Sequence, residues 1–253
     1  MTMNEQITKA RKELNDIADS LRETLNSLSD ELEEIANQLP SLPDSSTQEE
    51  TLDSFATACA LLRSGQKLPA GQIIYTELED YTTAKWRVLE SRVKLTDNEV
   101  SSRAVVQLAE IIDYRSFSTP TKEHPYGWND LASSDLMRWI NSDFLRRLDK
   151  RDQDCIVTRT DLGDNKSRTL WLLSDEEAGF GDPECAFEWY RCEEDELNLR
   201  RQLKDRDGDP ATWWLRTPNA GHASGVRNVS TSGALHNNGA NNAYGVAPAC
   251  FIQ

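Results

Sequence analysis

Residues 212–218, TWWLRTP, and residues 225–253, GVRNVSTSGALHNNGANNAYGVAPACFIQ, decide how this chain is read. Trp, Leu, Val and Phe recur among short polar residues, and Ser-Gly and Asn-Gly mark turns, the texture of short strands. The chain has 253 residues and 43 acidic ones, yet its last acid is Asp209. From Thr217 to Ile252 there is also no Lys, Gln, Met or Trp. The plain reading is a loop-rich ending in which Asn and Gly supply turns. The sharper one is a binding surface. Short uncharged groups make hydrogen bonds at little ordering cost and bring no charge that must be desolvated.

Composition narrows the classes around that ending. A net charge of −15 repels phosphate, which argues against nucleic acid and anionic membrane surfaces as partners. No apolar run is long enough to span a bilayer, so no membrane insertion is expected. The opening MTMNEQITKARKELND has no apolar core, so the expectation is cytoplasmic synthesis without a signal peptide, with the product virion-associated or surface-displayed. The five cysteines, Cys59, Cys155, Cys185, Cys192 and Cys250, are odd in number and form no C-x-x-C; they read as buried free thiols.

The chain divides by texture. Over residues 1–39 an apolar stripe repeats every seventh residue at Leu14, Leu21, Leu28 and Ile35. It predicts an N-terminal amphipathic helix whose narrow seam suits a coiled-coil homo-oligomer through residues 5–39, with docking onto its own domain as the alternative. Residues 40–50, PSLPDSSTQEE, read as a linker. In the domain at 51–253, TLDSFATACALLRSG predicts a helix capped by Thr51 or Ser46 and ended by Gly65. AGQIIYTEL and AKWRVLESRV read as strands, and SSRAVVQLAEIIDY as a helix or a buried strand followed by one. SSDLMRWINSDFLRRLD reads as one amphipathic helix, RTLWLLSDEEAGF as a short buried strand with an acidic turn, and residues 182–209 as an exposed charged insertion. Strands follow at TWWLRTP, at GVRNVSTSGAL with a turn at Ser232-Gly233, and at the C-terminus, where Pro248 marks a strand start or an edge.

Several motifs fail on inspection. DRDGDP (Asp205, Asp207, Asp209) has its glycine at the fourth loop position and Arg216 at the twelfth, so it reads as a polar turn and not a calcium loop. Trp128-Asn129-Asp130 precedes a helix and reads as a cap. Ser174 to Glu177 offers paired carboxylates that read as capping groups. His124, His222 and His236 form no metal-binding pair motif, and no nucleophile elbow, phosphate loop or dinucleotide fingerprint is present. The expectation is no enzyme, no cofactor and no metal.

TWWLRTP followed by GVRNVSTSGALHNNGANNAYGVAPACFI resembles the ending of a family of uncharacterised bacterial and phage domains that runs W-W-L-R-S-P, a strand, T-D-G-x-L, an Asn-rich loop and G-V-R-P-A. AKWRVLE, GWNDLASSDLMRWINSDFL and LWLLSDEEAGF resemble the same family in order and spacing, so the likeness covers roughly residues 68–253. Two positions depart from it, Ala247 where the family has Arg and Ser232 where it has Asp. Members are similar to C-type-lectin-like folds, including the variable proteins of diversity-generating retroelements. The resemblance implies an α+β fold, C-type-lectin-like, with the N-terminal amphipathic helix appended. In those systems adenines are mutated, and Asn codons scatter to many residues but never to Lys, Glu, Gln, Met or Trp; residues 217–252 contain none of these five.

That likeness implies a scaffold of Trp213, Leu215, Val226, Val229, Val246 and Phe251. It also implies a ligand-facing segment at 217–245: Asn219, His222, Ser224, Arg227, Asn228, Ser230, His236, Asn237, Asn238, Asn241, Asn242 and Tyr244, floored or rimmed by Trp214 and Arg216. The expected function is a non-enzymatic ligand- or receptor-binding protein, the variable protein of a diversity-generating retroelement, whose partner is a protein or glycan on a cell surface. The alternatives are an oxidase similar to the formylglycine-generating enzymes on the same fold, which would need a cysteine pair or a histidine-based iron site, and a structural or assembly protein.

Overall fold

The computed structural model describes residues 52–80, 82–96 and 99–253. The expected helix over 5–39, the linker at 40–50 and the capping candidates Ser46 and Thr51 lie outside them. Thr51–Gln253 is one compact unit, α+β, with mostly antiparallel strands and a few short helices.

The first sheet is built from β1 (Ile73–Glu77), β2 (Thr83–Thr96), β3 (Glu99–Leu108), β5 (Ile156–Val157) and β12 (Ala249–Ile252), in the order β1-β2-β3-β12-β5. SSRAVVQL therefore belongs to a strand, in keeping with its β-branched residues. The last strand closes the sheet between β3 and β5, so Pro248 stands just before a central strand and not on an edge. Helix α1 (Phe55–Arg63) packs against β3. It starts one turn later than expected: Ser54 caps it, its hydroxyl accepting from Thr57 N–H at 3.1 Å. Under α1, Phe55 meets Trp86 edge-on at 5.1 Å, and Trp86 Nε1–H donates to Thr76 Oγ1 at 2.9 Å. Burying rings of this size while satisfying the indole contributes about 1.5–3 kcal/mol each.

The second sheet has the order β10-β9-β8-β11-β4. It comprises β4 (Tyr114–Ser116), β8 (Trp213–Pro218), β9 (Gly225–Val229), β10 (Leu235–Gly239) and β11 (Ala243–Gly245). The β9–β10 hairpin turns where expected. Ser230 Oγ accepts from Ala234 N–H at 3.2 Å, and Gly233 takes φ +84°, a left-handed backbone that favours glycine. A short hairpin of β6 (Leu203–Lys204) and β7 (Pro210–Ala211) carries DRDGDP as a polar turn: Asp205 Oδ1 accepts from the Asp207 and Asp209 amides, both at 3.1 Å.

Four expectations are corrected. SSDLMRWINSDFLRRLD is not one helix but α2 (Asp135–Trp139), a π segment (Ile140–Phe144) and a 3₁₀ turn (Leu145–Arg147). Polar side chains break it: Asn141 Nδ2 donates to Met137 O and Leu170 O, and Ser142 Oγ to Arg138 O, competing with the helix's own ladder. RTLWLL forms no strand; it is mostly buried chain with isolated bridges from Arg168 to Arg159 and from Trp171 to Ala249. Residues 182–209 are not a wholly exposed insertion, since Tyr190, Leu203 and Arg201 are buried. Arg201, in α4 (Glu194–Arg201; α3 is Lys150–Asp154), lies 3.5 Å over Phe180 and donates to Ala178 O at 2.9 Å, so carbonyls and a ring satisfy its charge. Finally, Cys59, Cys155 and Cys250 are buried free thiols, but Cys185 is exposed and Cys192 half-buried.

Candidate functional site

The end of the β9–β10 hairpin where Gly225 faces Gly239 gathers three loops. In the 219–224 loop, Asn219 N–H donates to Gly225 O at 2.8 Å and Gly225 N–H to His222 O at 2.9 Å. Asn219 Nδ2 donates to Asn237 Oδ1 at 3.1 Å, tying the loop to β10. A second loop, 121–129, closes on itself through Thr121 and Gly127 amides that both donate to His124 O at 3.0 Å. Asn129 locks the two loops together, its Nδ2 donating to His222 O at 2.8 Å and Gly225 O at 3.0 Å and its amide to Ala223 O at 2.9 Å. The third segment, 240–242, joins through Ala240 N–H to Ser224 O at 2.7 Å and Asn241 N–H to Tyr126 O at 3.2 Å.

Between the first two loops lies an open cleft of about 310 Å³, with Glu123, His124, Tyr126 and Trp128 on one wall and His222 and Ser224 on the other. His124 and Trp128 are in ring contact at 4.0 Å. Tyr126 is 67% exposed and Trp128 36%, unusual for large rings, which ordinarily bury. Sequence reasoning missed this wall. The available signal was HPYGW at 124–128, aromatics interleaved with Pro and Gly beside no apolar periodicity. Asn129 is likewise no helix cap; α2 is capped by Ser134, whose hydroxyl accepts from Met137 N–H at 3.2 Å.

The predicted residues divide. His222, His236, Asn237 and Asn242 are exposed, and Asn219, Ser224, Arg227, Asn238, Asn241 and Tyr244 are half-buried; His236, opposite Asn228, stands nearer the turn than the Gly225–Gly239 end, and Tyr244 packs on Trp214. Register puts Asn237 beside Arg227 on one face and His236 and Asn238 on the other. Ser230 stands at the opposite end, in the turn, its hydroxyl 2.9 Å from Ser232 Oγ. Trp214 neither floors nor rims a surface: it is wholly buried, Nε1–H donating to Arg115 O at 2.8 Å, with Phe117 and Tyr244 against its ring at 6.0 and 4.9 Å. In/out alternation fails there because β8 is the central strand and both its faces are covered. Asn228 is 1% exposed, and neither amide atom has a hydrogen-bond partner among the described residues. Of the implied scaffold, Trp213, Leu215, Val226, Val229 and Val246 are buried and Phe251 half-buried.

Arg216 lines a separate cleft of about 460 Å³ beside Asn129, Asp164 and Thr217, but its guanidinium turns inward. It donates to Leu172 O at 3.0 Å and to both oxygens of Glu177, which Arg159 also reaches at 2.8 Å. Glu177 N–H in turn donates to Ser174 Oγ, and Ser174 N–H to Glu177 Oε2, the reciprocal capping box expected of SDEE. Burial alone raises the Glu177 pKa, but hydrogen bonding and charge from Arg216, then Arg159, outweigh it and hold the carboxyl below its ordinary value.

Among the described residues no three His, Cys, Asp or Glu side chains are grouped to hold a metal ion, and no helix is long and apolar enough to cross a membrane. The arrangement offers hydrogen-bonding and stacking groups with Glu123 as the charged residue of the cleft wall. No curated protein and no solved structure matches the chain. The model of the family described as a domain of unknown function (DUF6273) matches residues 91–253, and the chain belongs to that family.

Proposed function

We propose that this protein is a non-enzymatic ligand- or receptor-binding module of C-type-lectin-like fold, the variable protein of a diversity-generating retroelement, with its exchangeable surface within residues 217–245. The observation that carries the reading is the clustering of His222, Ser224, Asn237 and Asn242 with the exposed Tyr126 and Trp128 at one end of a hairpin whose supporting residues are buried. Rigid aromatics with short adaptable polar groups around them are the chemistry of recognition surfaces. The absence of Lys, Glu, Gln, Met and Trp from 217–252 agrees with adenine-directed mutation of Asn codons. The C-type-lectin-like reading is supported by the terminal strand closing back beside an early one and by the long loops between sheets. Residues 5–39 would oligomerise the chain and so add avidity to individually weak sites.

The test is binding of the labelled full-length chain to arrays of bacterial cells, glycans and surface proteins. It is compared with a variant in which His222, Ser224, Asn237 and Asn242 are all alanine. The reading expects a partner on a cell surface that the variant loses while its thermal midpoint holds. Equal binding by both chains would remove this surface from recognition.

A further inference from the structure

A further cavity, of about 550 Å³, shares no lining residue with the aromatic cleft or the hairpin rim. It stands apart from the surface proposed above for recognition. One wall is a face of the first sheet, and strand register explains it. A bulge in β2 between Val88 and Glu90 shifts the pairing from Val88↔Val106 to Glu90↔Val105. Val106 and Val105 point to opposite faces, so the extra residue turns Glu90 and Arg92 away from the core side, where Val88 is buried. They join Arg103, Val105 and Phe251 on the outer face, since Arg92 pairs with Arg103 and Phe251 with Val105.

Two arginines thus stand directly opposite one another across neighbouring strands, a pairing that costs stability unless something offsets it. Each commits a single nitrogen among the described residues: Arg92 Nε to Glu90, and Arg103 Nε to Gln253 Oε1 at 3.0 Å. Both side chains are exposed, and among the described residues no partner meets their outer guanidinium nitrogens. The carboxylates that line the cavity are shared with other arginines. Glu90 also has Arg191 at 3.5 Å, Glu177 has Arg159 and Arg216, and Asp161 accepts from Arg159 at 2.6 Å. The lining also carries an apolar wall of Val105, Phe187 and Phe251, with Trp171 tilted against Phe251 at 4.9 Å and Arg159 over the same ring at 5.7 Å.

We infer that this cavity binds a small organic carboxylate with an apolar body, the carboxylate held by Arg92 and Arg103 and the body laid on Val105, Phe187 and Phe251. The volume lies within the ~300–1,000 Å³ of small-molecule sites, and two guanidiniums beside an apolar wall select charge and shape together.

Cys185, an exposed thiol in the cavity wall, supplies a readout. The alkylation rate of Cys185 in the full-length chain, followed by mass spectrometry, is measured with 3-phenylpropanoate, 4-methylpentanoate and their neutral amides. The acids are expected to slow alkylation at concentrations about tenfold below those the amides require. Arg92→Gln with Arg103→Gln, both at exposed positions, should remove the difference without changing the circular dichroism spectrum. Cys192, outside the cavity, reports any global change. Failure of both acids to protect, equal protection by acids and amides, or protection that survives the double variant would each overturn the inference.

Discussion

Arg216 reaches out of the central strand β8 and closes both oxygens of Glu177 in its guanidinium, while Arg159 holds the same carboxylate from the other side. All three side chains are about a tenth exposed. Removing the carboxylate leaves Arg216 without a charged partner and Arg159 with Asp161 alone in a poorly solvated place, so Glu177→Gln is expected to cost about 3–5 kcal/mol. The check is denaturant unfolding of the variant beside the parent, with a loss under about 1 kcal/mol counting against a network.

The same group sets an acid limb. The Glu177 pKa is depressed in the folded state, so its contribution is fully present above the unfolded value of about 4.3 and is lost as pH falls through the folded value. The thermal midpoint of the parent should drop below about pH 5 more steeply than that of Glu177→Gln. Parallel pH profiles would show that Glu177 does not carry this dependence.

Gly233 permits no side chain. A Cβ there would lie 2.1 Å from Asn198 O, on a backbone already at φ +84°. Gly233→Ala should destabilise by at least about 1–3 kcal/mol from the left-handed conformation alone, with the clash added. An unchanged thermal midpoint would mean that the hairpin turn does not sit against α4 as described.

Asn228 is the one predicted contact residue that the fold swallows with its amide unpaired among the described residues. Replacing it by the near-isosteric Leu removes a buried polar group without opening a cavity, so Asn228→Leu should raise stability by about 1–3 kcal/mol. A fall would reveal that the amide has a partner, such as an ordered water.

Trp128 is exposed beside His124, whereas Trp86, Trp171, Trp213 and Trp214 are wholly buried. Acrylamide should quench a fraction of the fluorescence that falls in Trp128→Phe, the remainder coming from the half-buried Trp139 and Trp189. Quenching that is unchanged in the variant would place the aromatic wall elsewhere.

Much of the sheet framework was legible, because Ile, Val, Trp and Tyr in short runs bounded by Gly and Pro mark strands whatever packs on them. The hairpin at Ser232-Gly233 and the capping box at Ser174 and Glu177 rest on backbone chemistry a few residues long, and both are present. What depended on distant partners was not legible. Alternation failed at Trp214 because β8 is covered on both faces. The helix at 135–147 broke because Asn141 bonds Leu170, far away in sequence. Charge density mistook Arg201 for surface, although carbonyls of residues 178 and 179 and the ring of Phe180 enclose it. The aromatic wall of the cleft went unseen for the same reason: only the fold brings HPYGW to the 219–224 loop through Asn129.

The central claim is that buried residues hold a surface whose polar identities are free to change. Sequencing the locus from several isolates, with its flanking DNA, tests it most directly. The account predicts differences concentrated in the codons of His222, Ser224, His236, Asn237 and Asn242 and largely confined to adenines, with a near-copy of the segment beside a reverse-transcriptase gene. Identical codons throughout with no such copy, or changes falling as often on Trp213, Val226 and Val246, would contradict it.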